Sequence, residues 1–453
     1  MKSDYIDLIP SPHAQKITTL NGEIVGVDLF LHHVNLVAKQ LPAKQFAINL
    51  CENRYNFFVA FAAVLSREQT NLLPPNHAVS TVQEVGDDFN DCYCITDHRI
   101  EQLKLPQCLI QDYFDTKSKI NPEAPSPLPR IAAEHTACIV FTSGSTGKPN
   151  PNHKKWCDLV NVAKATQKWL NIQQNSNLTI VATVPPQHMY GLETSIMLPL
   201  ISGTQIYNGK PFFPEDVRAT LASIPGPVAL ITTPVHLRAC VGSELSWPSV
   251  QFILSATAPL AMNIAVAAEQ HFQTQVLEIY GCTESGSIAH RRTVQDEQWT
   301  LYENMTLSQQ GEDFYINSYH LAKPILLNDN LEIHDPGHFS LLGRKSDLII
   351  IAGKRASLAD LNKKLLNIDG VIDGVIFCPE TKSDEKPFTT RLVAFVVAPD
   401  LEESSILATL RMQIDAAFLP RPLYKVNKLP RGDTGKLPVK ELSEMLVELR
   451  GTS

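Results

Sequence analysis

Residues 139 to 149 read Ile-Val-Phe-Thr-Ser-Gly-Ser-Thr-Gly-Lys-Pro, an apolar run that passes directly into hydroxyls and glycines and ends on a lysine. A glycine has no Cβ to hold an anion away from the backbone, so neighbouring N–H groups can converge on one. Thr142, Ser143, Ser145 and Thr146 add hydroxyl donors, Gly144 and Gly147 supply the open backbone, and Lys148 brings a positive charge. The chemistry these residue types suit is phosphate binding. A Walker A loop is excluded by spacing, because that motif puts four residues between its first glycine and a Gly-Lys pair followed by Ser or Thr. Here Gly144 and Gly147 stand too close together and Pro149 follows Lys148, so a P-loop kinase or ATPase fits poorly.

The loop resembles the phosphate-binding signature of the AMP-forming adenylating superfamily, which comprises acyl- and aryl-CoA ligases, the adenylation domains of peptide synthetases, and luciferases. Further segments follow in that family's order. Pro185-Pro186-Gln187-His188-Met189-Tyr190-Gly191 resembles the segment whose aromatic or imidazole group lines the acyl pocket, which implies a substrate-side role for His188. Ser255-Ala256-Thr257-Ala258-Pro259-Leu260 resembles the small-residue turn that lies against adenine, implying nucleotide contacts from Thr257, Ala258 and Pro259. In Tyr280-Gly281-Cys282-Thr283-Glu284 the resemblance implies adenine stacking by Tyr280, a sharp turn at Gly281, a hydroxyl from Thr283 on the α-phosphate, and Glu284 as the Mg²⁺ ligand. Asp329 stands fourteen positions before Gly343 and eight before Gly337, the family's spacing for the aspartate that accepts both ribose hydroxyls. The alternative is a plain turn residue. Arg344 would add a second ribose or phosphate contact.

Near the far end, Leu429-Pro430-Arg431-Gly432-Asp433-Thr434-Gly435-Lys436 resembles the family's catalytic-lysine loop. A glycine-flanked lysine can carry a compact charge to the carboxylate, the α-phosphate and the bridging oxygen as negative charge moves onto pyrophosphate. Arg344-Lys345-Ser346-Asp347 resembles the hinge before the family's mobile C-terminal domain, with Ser346 where Asp or Lys is usual. Gly353 and Arg355 match the face presented to an incoming thiol. Asn150 departs from the family's second phosphate-loop lysine. The small Gly286, between Ser285 and Ser287, suggests room for a bulky or elongated acid.

These motifs need a scaffold. Apolar runs at 46–50, 178–184, 227–232 and 250–254 read as strands, and the periodicity over 55–65, 192–201 and 260–271 predicts helices. Alternating strand and helix predicts an α/β fold with mainly parallel sheets. After Gly343 the pattern changes to strands over 348–351, 371–378 and 391–397 and helices over 404–418 and 439–449. The expected organisation is a large N-terminal ATP- and acid-binding domain, 1–343, and a small mobile α+β C-terminal domain, 344–453, carrying Lys436.

The 453 residues, 44% of them hydrophobic, are enough for two such domains. A formal charge of −8 without a long basic run argues against nucleic acid. Nine scattered cysteines, only Cys92 and Cys94 close together, fit a reduced cytoplasmic chain. With no basic-then-apolar start and no run of 18 apolar residues, neither export nor membrane insertion is expected. The expected partners are ATP, Mg²⁺, a small carboxylic acid and a thiol acceptor, either coenzyme A or the phosphopantetheine of an acyl carrier protein. No carrier attachment signature is present in the chain. The expected function is acid activation through an acyl-adenylate with release of pyrophosphate, then transfer to the thiol, the acid being aryl or medium-length acyl. The competing reading is a degenerate nucleotide-binding member of the same fold without ligase activity.

Overall fold

A computed structural model describes the chain apart from residues 1–3, 11–15, 21–22, 113–126, 144–148, 175, 319–320, 322, 346–347, 352–353, 380–390, 433–436, 438 and 452–453. Asn53 starts the first long buried helix, Arg54–Ser66: its Oδ1 accepts from the backbone N–H groups of Tyr55 and Asn56 at 3.0 and 3.1 Å. The helix is apolar all round and accordingly buried all round, Phe57, Phe58 and Phe61 included. It packs on a six-stranded sheet ordered Pro149–Lys155, Thr136–Ser143, Thr70–Leu73, Phe46–Asn49, Cys92–Thr96 and Gln107–Leu109. The first pair is antiparallel and the others are parallel. Alternation sends Ala47, Tyr93, Ile95, Cys138 and Val140 to the face under that helix. Ile48, Cys92, Cys94, Ile139 and Phe141 go to the other.

A nine-stranded sheet follows, ordered Gln205–Ile206, Thr179–Ala182, Val228–Thr232, Phe252–Ser255, Val276–Cys282, Gly286–Arg292, Trp299–Leu301, His338–Arg344 and Asp329–Asp335. Parallel pairing, as expected, runs from the first to the fifth strand. From Val276–Cys282 onward the pairs are antiparallel, so the sheet is mixed. The physical reason lies in the strands themselves: the parallel strands Thr179–Ala182, Val228–Thr232 and Phe252–Ser255 are buried throughout, whereas Asp329–Asp335 and His338–Arg344 are mostly half-buried or exposed, as suits a sheet with one solvated face. A three-stranded antiparallel sheet of Met305–Gln310, Asp313–Ser318 and Ile325–Leu327 completes this part.

From Ile349 the chain fills two cores of its own, one around Leu361, Leu365, Ala394 and Ile406, the other around Phe395, Leu442 and Leu446. The helix expected over 404–418 ends at Gln413. Ile414 is extended, and Asp415 accepts from Ala417 N at 3.0 Å to cap a separate 3₁₀ turn, Ala416–Phe418. None of the nine cysteines is in a disulfide. Among the described residues no helix is long and apolar enough to cross a membrane.

Two histidines, His33 buried and His290 half-buried, give the fold a pH dependence. His33 has no solvent exposure, and its Nδ1 is hydrogen-bonded to Tyr55 Oη at 2.7 Å. The His290 ring stacks on Trp169 with centroids 4.2 Å apart. Burial pushes both from the ordinary 6.5 down to about 4, so both are neutral in the fold. Their stabilisation is therefore present above about pH 6.5 and is lost as pH falls towards 4. Urea midpoints should fall between pH 7 and 4.5. His33→Gln or His290→Gln should flatten the dependence by on the order of 1 kcal/mol each.

Candidate active site

The turn Thr283-Glu284-Ser285 joins two antiparallel strands of the large sheet, and two glycines make it possible. A Cβ on Gly281 would meet the Gly286 carbonyl oxygen at 2.2 Å, and the strand register slips between Tyr280 and Gly281. Gly286 has φ +76°, and a Cβ there would lie 2.5 Å from Glu193 Oε1. Thr283 is half-buried and Glu284 exposed, so the turn presents a hydroxyl and a carboxylate side by side at the end of the sheet. The room expected at Gly286 is absent. The Glu193 side chain fills it, with Ser287 donating to that carboxylate from N at 3.2 Å and from Oγ at 2.5 Å.

Tyr280 precedes this turn, and its hydroxyl donates to Asp329 Oδ2 at 2.7 Å, linking residues 49 apart in sequence. Burial, then the Asp329 charge, pushes the Tyr280 phenol far above its usual range and keeps it a donor. The ring packs against Trp299 and Phe339, with centroids 5.6 and 5.7 Å away. Arg344 lies directly across the antiparallel pair from Asp329 and is exposed. Tyr280, Asp329 and Arg344 thus form one cluster.

The turn expected to face adenine follows the strand Phe252–Ser255. Thr257 has φ +82°, an unusual conformation for a β-branched residue and one that concentrates at ligand sites. Thr257 and Ala258 are half-buried and Pro259 exposed. Sequence reasoning missed what holds this turn. Leu260 N donates to Glu278 Oε1 at 3.2 Å, and the buried Glu278 is held in turn by Arg291 Nη2 at 2.6 Å and Thr293 Oγ1 at 2.5 Å. Arg291 also lies 4.5 Å over the Trp299 ring. A lone glutamate in an apolar strand is the only trace of this in the sequence.

Thr142 and Ser143 end the strand that enters the phosphate loop and pair with Asn150 and Pro149 on the strand that leaves it. The two strands are therefore the arms of a β-hairpin. Gly144, Ser145, Thr146, Gly147 and Lys148 lie outside the described residues. His188 is half-buried at the N-terminus of helix Met189–Leu192, where its carbonyl accepts from Leu192 N at 2.8 Å. Behind it, Arg54 is fully buried and crosses from the first sheet's helix to the second sheet. Arg54 donates to Ser195 Oγ, and its Nη2 donates to the Ala182 and Val184 carbonyls at 3.2 and 2.8 Å. Burial lowers this guanidinium to about 10. Nothing local signals this burial, since a single arginine at a helix start is ordinarily solvated.

Lys345 N donates to the Asn328 carbonyl at 2.9 Å and its ammonium pairs with Asp313, so the near side of the expected hinge is anchored. Ser346, Gly353 and Lys436 lie outside the described residues, and Arg355 is described only as backbone paired with Ile350. Arg431, five positions before Lys436, holds Asp373 with Nε and Nη2, both at 2.7 Å. Asp373 in turn lies 3.5 Å from Arg238 Nη1 on helix Pro234–Val241. Among the described residues no group of three or more His, Cys, Asp or Glu side chains could hold a metal. The donor set at the turn is one exposed carboxylate. That suits Mg²⁺, which is bound through one or two carboxylates plus substrate phosphates.

Residues 36–317, more than half of the chain, match the family model described as AMP-binding enzyme. The 4-coumarate–CoA ligase of Halorhodospira halophila is 28% identical over 314 residues, 68% of this chain and 76% of that protein. The crystal structure of ATP-bound MatB from Rhodopseudomonas palustris superposes with a TM-score of 0.79 at 17% identity, over 97% of each chain. That of the anthranilate CoA ligase AuaEII in complex with anthranoyl-AMP also gives 0.79, at 15% identity, over 100% of this chain and 99% of that one. These two show a shared fold. With the family model and the clustered motifs, they lead to one identification: the chain belongs to the AMP-binding enzymes, the AMP-forming adenylating superfamily that its motifs resemble.

Proposed function

We propose that this protein is an ATP-dependent acid:thiol ligase. A substrate carboxylate oxygen attacks the α-phosphorus of ATP, the bond to pyrophosphate breaks, and an acyl-adenylate forms. A thiol then attacks the acyl carbon and AMP leaves. The observation that carries the reading is the cluster in which Tyr280 donates to Asp329 at 2.7 Å beside the Thr283–Glu284 turn. This cluster can hold ribose, base and α-phosphate at once. Asp329, with Arg344 across from it, takes the ribose hydroxyls; Thr283 donates to the α-phosphate; Thr142, Ser143 and the loop through Lys148 cradle the remaining phosphates. Glu284 and the nucleotide phosphates would hold Mg²⁺, which screens their charge. Thr257, Ala258 and Pro259 back the adenine, and His188 borders the acid. The protein contributes positioning and fixed charge, with no covalent step of its own.

Residues 1–343 form the nucleotide and acid domain and 344–453 the mobile domain. Its movement about Lys345 and Ser346 brings Lys436 to the reacting atoms first, and the Gly353–Arg355 face afterwards. Arg431, five positions before Lys436 in sequence, is held by Asp373, which also lies 3.5 Å from Arg238 of the large domain. The relatives named for 4-coumarate and anthranilate support an aryl acid, and CoA ligases among them favour coenzyme A as the acceptor over a carrier protein. A cytoplasmic location supplies both ATP and reduced thiols. The test is mass spectrometry of the product formed from ATP and a panel of aryl and medium-length acids, with coenzyme A or a phosphopantetheinyl carrier protein. An acyl-CoA supports this reading, an acyl carrier transfers it to the other acceptor, and neither product with any acid contradicts it.

A further inference from the structure

Lys154 lies on the strand that returns from the phosphate loop, yet its side chain points into the protein: only 5% of the residue is exposed. The pairing with the strand Thr136–Ser143 shifts register between Lys154 and Lys155, a local irregularity of the kind that re-aims a side chain. Its Nζ donates to the backbone carbonyl of Glu284 at 2.6 Å, across 130 positions of sequence and from one large sheet to the other. On the opposite flank of the same turn, the buried carboxylate of Glu193 takes both donors of Ser287. Glu193 opens a π-helical turn, Glu193–Met197, a local widening that often accompanies functional sites. Burial alone would drive Lys154 towards its neutral form and Glu193 towards its protonated form, and each charge offsets the other's loss of solvent.

We infer that Lys154 is a positioning residue: with Glu193 as its counter-charge, it fastens the Thr283–Glu284 turn to the strand Pro149–Lys155, so that the Glu284 carboxylate keeps a fixed place relative to Thr142 on the paired strand. The inference rests on the reading of Thr283 and Glu284 as the nucleotide turn. It also accounts for Asn150. A buried lysine of this strand stands four residues after Asn150 and acts on the turn's backbone. A charge-assisted hydrogen bond to a partly buried carbonyl is strong enough for its loss to be read as about a tenfold change.

The experiment compares ATP affinity by calorimetry with Mg²⁺ and with chelator in the full-length protein, the Lys154→Met and Lys154→Arg variants, and Glu193→Gln. In the unaltered protein Mg²⁺ should tighten ATP binding. Lys154→Met should lose about tenfold of that Mg²⁺-dependent gain while its affinity in chelator changes less than about threefold, and Lys154→Arg should recover part of the gain. A merely structural role would weaken both conditions equally, and an unchanged ratio in Lys154→Met overturns the inference. Should Lys154→Met fail to fold, Glu193→Gln reads the same ratio from the other flank, and an unchanged ratio there overturns it equally. Unaltered protein that binds no ATP under either condition would sink the nucleotide reading itself, a different result from binding with an unmoved ratio.

Discussion

Lys436→Ala should lower acid-dependent incorporation of labelled pyrophosphate into ATP by about 10²–10³-fold, the usual cost of removing one group aimed at developing charge. The same variant should still convert a chemically made acyl-adenylate to thioester within about threefold of the unaltered rate, because the second half-reaction places no demand on that ammonium. The split follows from the proposed mechanism, in which Lys436 serves the first half-reaction alone. Lys436→Arg should restore little, since a planar fork cannot stand in for a compact charge shared among three oxygens. A lysine that merely sits in a solvated turn would leave both half-reactions untouched. Equal loss in both would instead point to a damaged fold, which thermal unfolding of the variant would reveal.

The second large effect belongs to Asp329. Asp329→Ala should raise the KM for ATP by about 10–100-fold with a smaller fall in kcat, since two hydrogen bonds from the ribose to a charged acceptor are lost together. Tyr280 donates to the same carboxylate at 2.7 Å, so Tyr280→Phe should show part of this effect. The double variant should cost less than the sum of the two single ones, because the phenol orients the group that the first change removes. Steady-state kinetics with ATP varied at saturating acid measures all three. An unchanged KM in Asp329→Ala would return that residue to the plain turn role that its sequence surroundings also allow.

Local pattern made the ends of the site legible. The apolar run into Thr142 and Ser143 is a strand and the Thr283–Glu284 pair is a turn between glycine-permitted strands, while Tyr280 and Asp329, each singled out by its own motif, are joined by a hydrogen bond that neither motif foretold. What stayed hidden were pairings set by tertiary packing. Nothing local distinguishes Lys154 from its exposed neighbours in His153-Lys154-Lys155, because its burial depends on a register slip and on a carbonyl 130 residues away. Glu193 sits in an apolar helical pattern that reads as uniform core, and only the folded chain shows its carboxylate occupying the space beside Gly286. The antiparallel half of the large sheet escaped notice for a related reason: the strands Asp329–Asp335 and His338–Arg344 carry one fully buried residue each, so their pattern resembles that of a loop with occasional anchors. In the C-terminal part, a continuous helical periodicity hid the break at Ile414 and Asp415, where side-chain capping by Asp415 overrides propensity.

The central claim is that this site makes an acyl-adenylate, and exchange of labelled pyrophosphate into ATP, run across a panel of aryl and medium-length carboxylic acids with product nucleotides separated, addresses it most directly. The account predicts exchange stimulated by at least one acid and dependent on Mg²⁺, with AMP as the nucleotide product once a thiol acceptor is added. Binding of ATP with no exchange for any acid, or the appearance of ADP in place of AMP, would contradict it.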